Sequence, residues 1–226
     1  MKNTSKVLSL LRLNATWKTW TLVAVAATVM SCSTGCQSTA DISWDKPPQS
    51  QAMNKTVYVK KTEYNGANTT VGNHTWTVFA LSGPAILASR QVDERVTKAV
   101  HDAYTAAGYT VLDAVEAPAN AVIVTPTLLK FHYWSYSWLW PIFIDGGGIR
   151  LDVMVESKPG KTLWQKSYDA SSFWVTPVAC YGFDGKIKGN LTEIVGKIAE
   201  DAKSQEVQTA INVTQSPPGT AVKIKE

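Results

Sequence analysis

The chain has 226 residues, of which 45% are hydrophobic, 18% are charged and nine are tryptophan. This composition excludes a disordered or low-complexity chain, because such chains lack the apolar side chains needed to form a core. Three cysteines are too few for a disulfide scaffold. The chain has a formal net charge of +4. Such an excess indicates binding to nucleic acid or to an anionic membrane only when it lies on the folded domain, so the basic residues must first be located.

The first 31 residues have the pattern of an export signal. They contain four basic residues, all before position 20, and no acidic one, and an apolar run from Trp20 to Met30 follows the last basic residue. This run is shorter than the roughly 20 apolar residues that span a bilayer. Without this segment the chain keeps 18 Lys and Arg against 18 Asp and Glu, so the exported domain is formally neutral. The excess positive charge belongs to the signal and gives no evidence for a nucleic-acid ligand.

The end of the signal resembles the lipobox of bacterial lipoproteins. Val29 stands three residues before the predicted cleavage point, Ser31 directly before it and Cys32 directly after it. The resemblance implies that Cys32 carries a diacylglycerol and a further acyl chain, which together anchor a protein stably. Cys36, preceded by Gly35, is the alternative lipidation site, and the alternatives to a lipoprotein are an ordinary secreted protein and an uncleaved anchor. Since no Asp follows either cysteine, the resemblance implies retention in the outer membrane of a Gram-negative bacterium, facing the periplasm.

The mature chain is predicted to begin with a flexible tether that leads into a folded domain. Residues 32–55 are polar and contain the pair Pro47-Pro48, a composition typical of linkers. Apolar side chains recur every four residues over 89–107 and form one helical face, with Gly108 at the position of a C-terminal cap. The strands predicted in this half are 56–59, 76–80, 109–112 and 121–125, with a loop over 113–120.

The C-terminal half is predicted to contain a hairpin and a second helix. Asn190 is predicted to cap that helix, because Glu193 follows it at the spacing of a capping box. Two helices on one face of a mainly antiparallel sheet make an α+β fold, with its domain over 56–211. The elements predicted here are strands over 149–156 and 162–168, a turn over 158–161, a helix over 191–211 and a disordered tail over 212–226.

This order of elements resembles the small periplasmic lipoproteins of the YajG and LptE types. The resemblance rests on the helix over 92–107, the following Gly-Tyr-Thr-Val-Leu, the strand over 121–125, the long hairpin and the C-terminal helix. It covers about residues 55–211 and implies the same α+β domain. Similarity to the LptE type further implies a role in lipid or lipopolysaccharide transport.

The aromatic stretch over 131–140 is the strongest functional pattern. Alternate residues share one face of a strand, and no charged residue occurs between Lys130 and Asp145. If the strand is regular, Val122 and Val124 lie on the tryptophan face, and these rings belong to the core under the helices. The other interpretation is a protruding hairpin with an exposed aromatic surface for a partner or a membrane. The residues predicted to bind are Trp134, Tyr136, Trp138, Trp140 and Phe143.

The glycines after this stretch are predicted to form a turn. The run Asp145-Gly146-Gly147-Gly148 lacks the spacing and the Gly-Lys-Ser/Thr ending of phosphate loops, and it leads into a strand rather than a helix. We therefore expect a flexible turn between the aromatic strand and the strand over 149–156.

Catalytic and metal-binding patterns are weak. Three histidines occur, at His74, His101 and His132, and none stands in a triad motif. Cys180 has three interpretations: a thiol nucleophile, a buried apolar residue, or a disulfide partner of Cys36 if Cys32 is lipidated. The pair Cys32 and Cys36 has metal-ligand spacing, but the lipobox explains it better. We expect no catalytic residue, no metal and no cofactor.

Together these patterns predict a lipid-anchored, non-enzymatic protein of the periplasm that acts as a binding or assembly subunit of an envelope complex. The expected partners are outer-membrane lipid, through the acyl chains, and an envelope protein, through the aromatic hairpin. Nucleic acid is not expected, because no Lys or Arg accompanies the rings. The alternatives are a lipid or lipopolysaccharide transport accessory and an envelope hydrolase that uses Cys180.

Overall fold

The computed structural model describes residues 38–76, 81–139, 142–157, 160–176 and 183–215. The signal, the lipobox and Cys180 lie outside these residues, as do positions 77–80 of one predicted strand. The described part contains three helices and nine strands. The helices are α1 (Val92–Ala106), α2 (Phe183–Ala202) and α3 (Gln205–Gln215). The strands are β1 (Ser38–Ala40), β2 (Thr56–Val59), β3 (Glu63–Tyr64), β4 (Thr70–Trp76), β5 (Leu81–Ala88), β6 (Thr110–Asp113), β7 (Val122–Leu139), β8 (Ile142–Ser157) and β9 (Lys161–Thr176).

All nine strands join one mixed sheet that is organised around β7. One edge of β7 pairs along its length with β8, which pairs with β9, and both pairings are antiparallel. The other edge pairs in parallel with β2, then β3, then β4. The sheet continues from β2 to β6 and from β4 through β5 to β1. The prediction of a mainly antiparallel sheet is confirmed in part, because the longest pairings are antiparallel but the sheet is mixed. Helix α1 lies between β2–β5 and β7 in the chain, and such a crossover permits parallel pairing.

One face of the sheet, here called the inner face, packs against the helices. The helix predicted over 89–107 is confirmed as α1, and Gly108 at its end has a φ of +100°, as a C-terminal cap requires. The apolar faces of α1 and α2 meet the inner faces of β7, β8 and β9 in one core. Fully buried residues of this core include Val96, Val100, Tyr104, Val124, Leu151, Ile187, Leu191 and Ile194.

A bulge in β7 changes which side chains face the helices. The pairing of β7 with β8 shifts between Leu128 and Lys130, so Leu129 is extra and is 53% exposed. Before the bulge, Val124 and Leu128 point inward; after it, Phe131 and Tyr133 do. A one-residue insertion moves every later side chain to the opposite face. The aromatic residues at even positions after the bulge therefore do not lie under the helices.

The predicted tether is corrected from Ser38 onward, because this segment packs on the domain. Strand β1 pairs in parallel with β5, and Ile42 is completely buried. The Arg95 side chain donates to the Ile42 carbonyl at 2.7 Å, and its guanidinium lies 4.7 Å from the Trp44 ring centre. Further along, the Met53 amide donates to the Gly108 carbonyl. The segment from Ser38 to Lys55 is therefore part of the folded domain, although its two adjacent prolines and many polar residues are typical of a linker.

The C-terminal helical region also differs from its prediction. Helix α2 begins at Phe183, so Asn190 lies inside the helix and is buried, instead of capping it. A break after Ala202 separates α2 from α3, and α3 reaches Gln215, so the first residues of the predicted tail are helical. A helix interior exposes no free N–H groups, which is why Asn190 has side-chain partners in place of backbone amides.

Candidate functional site

The outer face of β7, β8 and β9 carries a patch of large apolar side chains, here called the aromatic patch. Register places Trp134, Gly146 and Phe173 in one row across the three strands, and Tyr136, Ile144 and Val175 in the next. Directly opposed residues in antiparallel strands point to the same face. The patch consists of Trp134, Tyr136, Ile142, Ile144, Phe173 and Val175.

The aromatic patch is exposed over most of its members. Phe173 is 68% exposed, Val175 59%, Ile142 43% and Tyr136 40%. The Trp134 ring is half-buried between two neighbours, with its centre 5.0 Å from that of Tyr136 and 6.3 Å from that of Phe173. Such edge-on and tilted packing is favourable for aromatic pairs. The rings therefore form one connected surface.

A glycine in β8 makes room for this surface. A Cβ atom at Gly146 would lie 2.5 Å from Cζ2 of Trp134, closer than atoms in contact allow. At Gly148 it would lie 2.7 Å from the Ala170 carbonyl oxygen. The prediction of a flexible turn over these glycines is wrong: Gly146, Gly147 and Gly148 lie within β8, paired on both sides. The glycines serve close packing across the strands.

Charge along the outer face changes sharply at the bulge. Lys130, Arg150 and Asp169 form one row, in which Arg150 Nε lies 3.7 Å from Asp169 Oδ2. Beyond this row, toward the β7–β8 connection, the described outer-face side chains of the three strands carry no Asp, Glu, Lys or Arg. His132 also lies there, and burial together with the charge of Lys130 lowers its pKa. The patch is thus an uncharged end of an otherwise charged face.

Within the described part of the chain, only two of the five predicted binding residues lie in the aromatic patch. Trp134 and Tyr136 lie in the patch, whereas Phe143 is on the inner face and 3% exposed, so its prediction as a contact residue is corrected. The side chain of Trp138 and all of Trp140 lie outside the described part. The register explains this, because Phe143 pairs with Ser137 on the inner face, whereas Ile144 pairs with Tyr136 on the outer face.

Four patch residues were missed from the sequence: Ile142 and Ile144 in β8, and Phe173 and Val175 in β9. Phe173 and Val175 lie in β9, whose predicted end at residue 168 falls eight residues short of Thr176. The signal was present as an alternation, since Phe173 and Val175 face outward while Trp174 packs against the core and against Phe183. The consecutive Phe-Trp-Val is easily taken for a uniformly buried run.

A buried polar cluster lies behind the patch on the inner face. Asn190 of α2 donates from Nδ2 to the Tyr133 hydroxyl at 2.9 Å and accepts from the Ser172 hydroxyl at 2.6 Å. Burial raises the pKa of Tyr133, while the Asn190 hydrogen bond opposes this shift. The cluster joins α2 to β7 and β9 and fixes the helix layer over the sheet.

The histidines weighed as catalytic candidates make structural contacts in the described part of the chain. His74 is 4% exposed, and its Nε2 lies 3.0 Å from the Ser38 hydroxyl oxygen. Burial lowers its pKa, and the charge of Asp145 opposes this effect. His101 contacts Thr105 on the same helix. Among the described residues, no group of three or more His, Cys, Asp or Glu is placed to hold a metal ion. Within the same residues, no helix has the length and apolar character needed to cross a membrane.

Comparison with known proteins identifies a shared fold and no family. No protein-family model and no curated protein sequence matches the chain. Among solved structures, protein XCC0632 from Xanthomonas campestris, described by the family model DUF330, is similar with a TM-score of 0.56 at 7% identity, over 76% of this chain and 97% of that one. A minor lipoprotein from Acinetobacter baumannii gives a TM-score of 0.33 at 9% identity, over 72% and 95%. The first similarity concerns the fold alone, and the second score is too low to establish a shared fold.

Proposed function

We propose that this protein is a lipid-anchored, non-enzymatic binding protein of the outer membrane of a Gram-negative bacterium, and that it faces the periplasm. The lipobox-like sequence that ends at Cys32 supports the lipid anchor. The observation that carries the binding role is the aromatic patch, because contiguous exposed apolar surface on a soluble domain marks a contact surface. The contact it makes is with another component of the cell envelope.

The patch has the composition of a binding surface. Aromatic side chains are enriched at interfaces because they combine large apolar area with few rotatable bonds. Its rings are held by packing across β7 and β9 and by the space at Gly146, so little side-chain freedom is lost on binding. An open face of this kind suits a flat contact and offers no enclosed site for a small substrate.

The anchor is tested by metabolic labelling with palmitate. We expect a labelled band for the natural chain that is lost in Cys32→Ala and retained in Cys36→Ala, with a globomycin-sensitive shift in mobility. Loss in Cys36→Ala alone would move the anchor to that cysteine. A labelled band that persists when both cysteines are replaced would refute acylation at this site.

The binding role is tested by two matched substitutions of valine. Val175 in the patch is 59% exposed and Val115, beside β6, is 98% exposed, so neither change to Asp removes a core side chain. We expect the natural chain and Val115→Asp to retain the same envelope components through affinity purification from solubilised membranes, and Val175→Asp to lose them. Equal behaviour of the two variants, with equal amounts of folded protein, would refute a role for the patch. A thiol-reactive probe that labels Cys180 rapidly at neutral pH would instead favour a hydrolase.

A further inference from the structure

We propose that the aromatic patch rests in the interfacial region of the phospholipid bilayer that holds the lipid anchor, so that the domain lies on the membrane through its outer sheet face. This inference rests on the proposed lipid anchoring and names the ligand of the proposed contact surface. Two observations support it: the N-terminal segment enters the sheet near the end of β7 that carries the patch, and the side chains at that end are apolar and aromatic.

The direction of the strands brings the chain entry to the patch. Strand β4 runs parallel to β7, β5 runs antiparallel to β4, and β1 runs parallel to β5. Strand β1 therefore runs opposite to β7, and its first residue, Ser38, lies toward the end at which β7 finishes. That is the end that carries the patch, whereas the charged row at Lys130 lies farther back along β7.

Contacts at Ser38 place it level with the patch. The Ser38 hydroxyl oxygen lies 3.0 Å from Nε2 of His74, and His74 is the register partner of Ser135. Ser135 stands between Trp134 and Tyr136 in the chain, with its own side chain on the inner face. Strands β5 and β4 lie between β1 and β7, and their register places Ser38 level with Tyr133, the residue before Trp134.

The covalent chain between anchor and domain is short. Five residues lie between Cys32 and Ser38, so the two are six residue steps apart, and at about 3.6 Å per extended residue their separation is at most about 22 Å. Cys36 would shorten it further. An acylated cysteine held at the bilayer surface therefore keeps this end of the sheet near the membrane.

The chemistry of this end suits a phospholipid interface. Tryptophan and tyrosine are enriched where lipid meets water, because their apolar rings carry a polar edge. The Trp134 indole and Tyr136 phenol supply such edges, and Ile142, Phe173 and Val175 supply apolar area. The charged residues of the outer face begin only at the row of Lys130, which is the order expected for a surface that enters an interface from one end.

Site-directed fluorescence in proteoliposomes tests this placement. The acylated full-length protein is reconstituted into vesicles of phosphatidylethanolamine and phosphatidylglycerol, with Cys180 and the non-acylated N-terminal cysteine replaced by serine. A fluorophore is attached to Val175→Cys or, as the matched control, to Val115→Cys. Phospholipids with a nitroxide near the head group serve as quencher. We expect quenching at position 175 to exceed that at position 115 by about twofold or more, since an interfacial surface lies only about 5–10 Å deep.

Substitutions in the patch complete the test. In the Val175→Cys background, Phe173→Asp should lose the quenching, and Leu129→Asp, which changes an equally apolar exposed side chain at the bulge, should keep it. Equal quenching at 175 and 115 in protein that is acylated and incorporated would overturn the proposal while leaving the anchor intact. Failure to incorporate would instead show that the anchoring is wrong. If a cysteine at position 175 is protected from a water-soluble thiol reagent in native membranes but not in vesicles of pure lipid, the proposal is also overturned and the patch is assigned to a protein partner.

Discussion

The polar cluster around Asn190 gives a sharp prediction about stability. Asn190 is 5% exposed and joins the Tyr133 hydroxyl, which has no exposure, to the Ser172 hydroxyl. Asn190→Ala removes both hydrogen bonds. An unsatisfied buried polar group costs about 1–3 kcal/mol, and Ser172 is exposed enough to bind water instead. We expect Asn190→Ala to lower the free energy of unfolding by about 2–4 kcal/mol, mainly through the isolated Tyr133 hydroxyl.

A double-mutant cycle separates the hydrogen bond from the packing. Tyr133→Phe alone leaves Asn190 short of one acceptor and should cost about 1–2 kcal/mol. The double variant has no stranded hydroxyl, so we expect its loss to be smaller than the sum of the single losses by about 1–2 kcal/mol.

Urea and thermal unfolding of the full chain in detergent measure these effects. In a domain of this size, each kcal/mol lowers Tm by about 2–4 °C. Glu200→Ala, an exposed change on the same helix, is the control and should have little effect. Additivity of the two substitutions within about 0.5 kcal/mol, or a loss for Asn190→Ala no greater than for Glu200→Ala, would refute the reasoning.

Three further predictions concern pH and the glycine row. Burial raises the pKa of Tyr109 to about 12, and its hydroxyl donates to the Ala202 carbonyl at 2.9 Å. Stability from this group is complete below the ordinary tyrosine pKa of about 10 and is lost as the pH rises toward 12, so Tyr109→Phe should show a smaller alkaline loss in urea titrations at pH 9 to 12. Burial lowers the pKa of His74, so stability should fall as the pH drops below about 6.5, and His74→Gln should reduce the difference in Tm between pH 7.5 and pH 5; an unchanged difference would contradict this. Gly146→Val should cost about 1–3 kcal/mol by displacing the Trp134 ring, and Trp134→Ala in the same chain should recover part of that loss, as measured by urea unfolding.

Local periodicity predicted much of the fold, and non-local pairing limited the rest. The helix over 89–107 and the cap at Gly108 follow from a pattern within one segment, and the structure confirms them. The pairing of β1 with β5 connects residues nearly fifty positions apart, and the three residues Ser38–Ala40 contain no pattern that predicts it. A polar segment with two prolines therefore resembles a linker even though its few apolar side chains are buried.

The candidate site was predictable in its location and not in its face. The aromatic content of residues 131–140 identified β7 as the strand of interest. Whether its even or odd positions face the helices depends on the single extra residue at Leu129. A bulge adds one residue without a recurring sequence pattern, so periodicity does not predict it. Phe173 joins the patch only because β9 pairs with β8 in one particular register, which the residues of β9 do not specify.

The position of β7 also has a consequence for the order in which the chain folds. Its antiparallel partner begins three residues after Leu139, so β7, β8 and β9 can zip from their connections with little loss of chain entropy. Its parallel partners come from about sixty residues earlier and must close long loops before any hydrogen bond forms. We therefore expect the C-terminal meander to form early and the N-terminal strands to add later. Until they arrive, one edge of β7 is open to other chains, and this is the stage at which the protein is most exposed to aggregation.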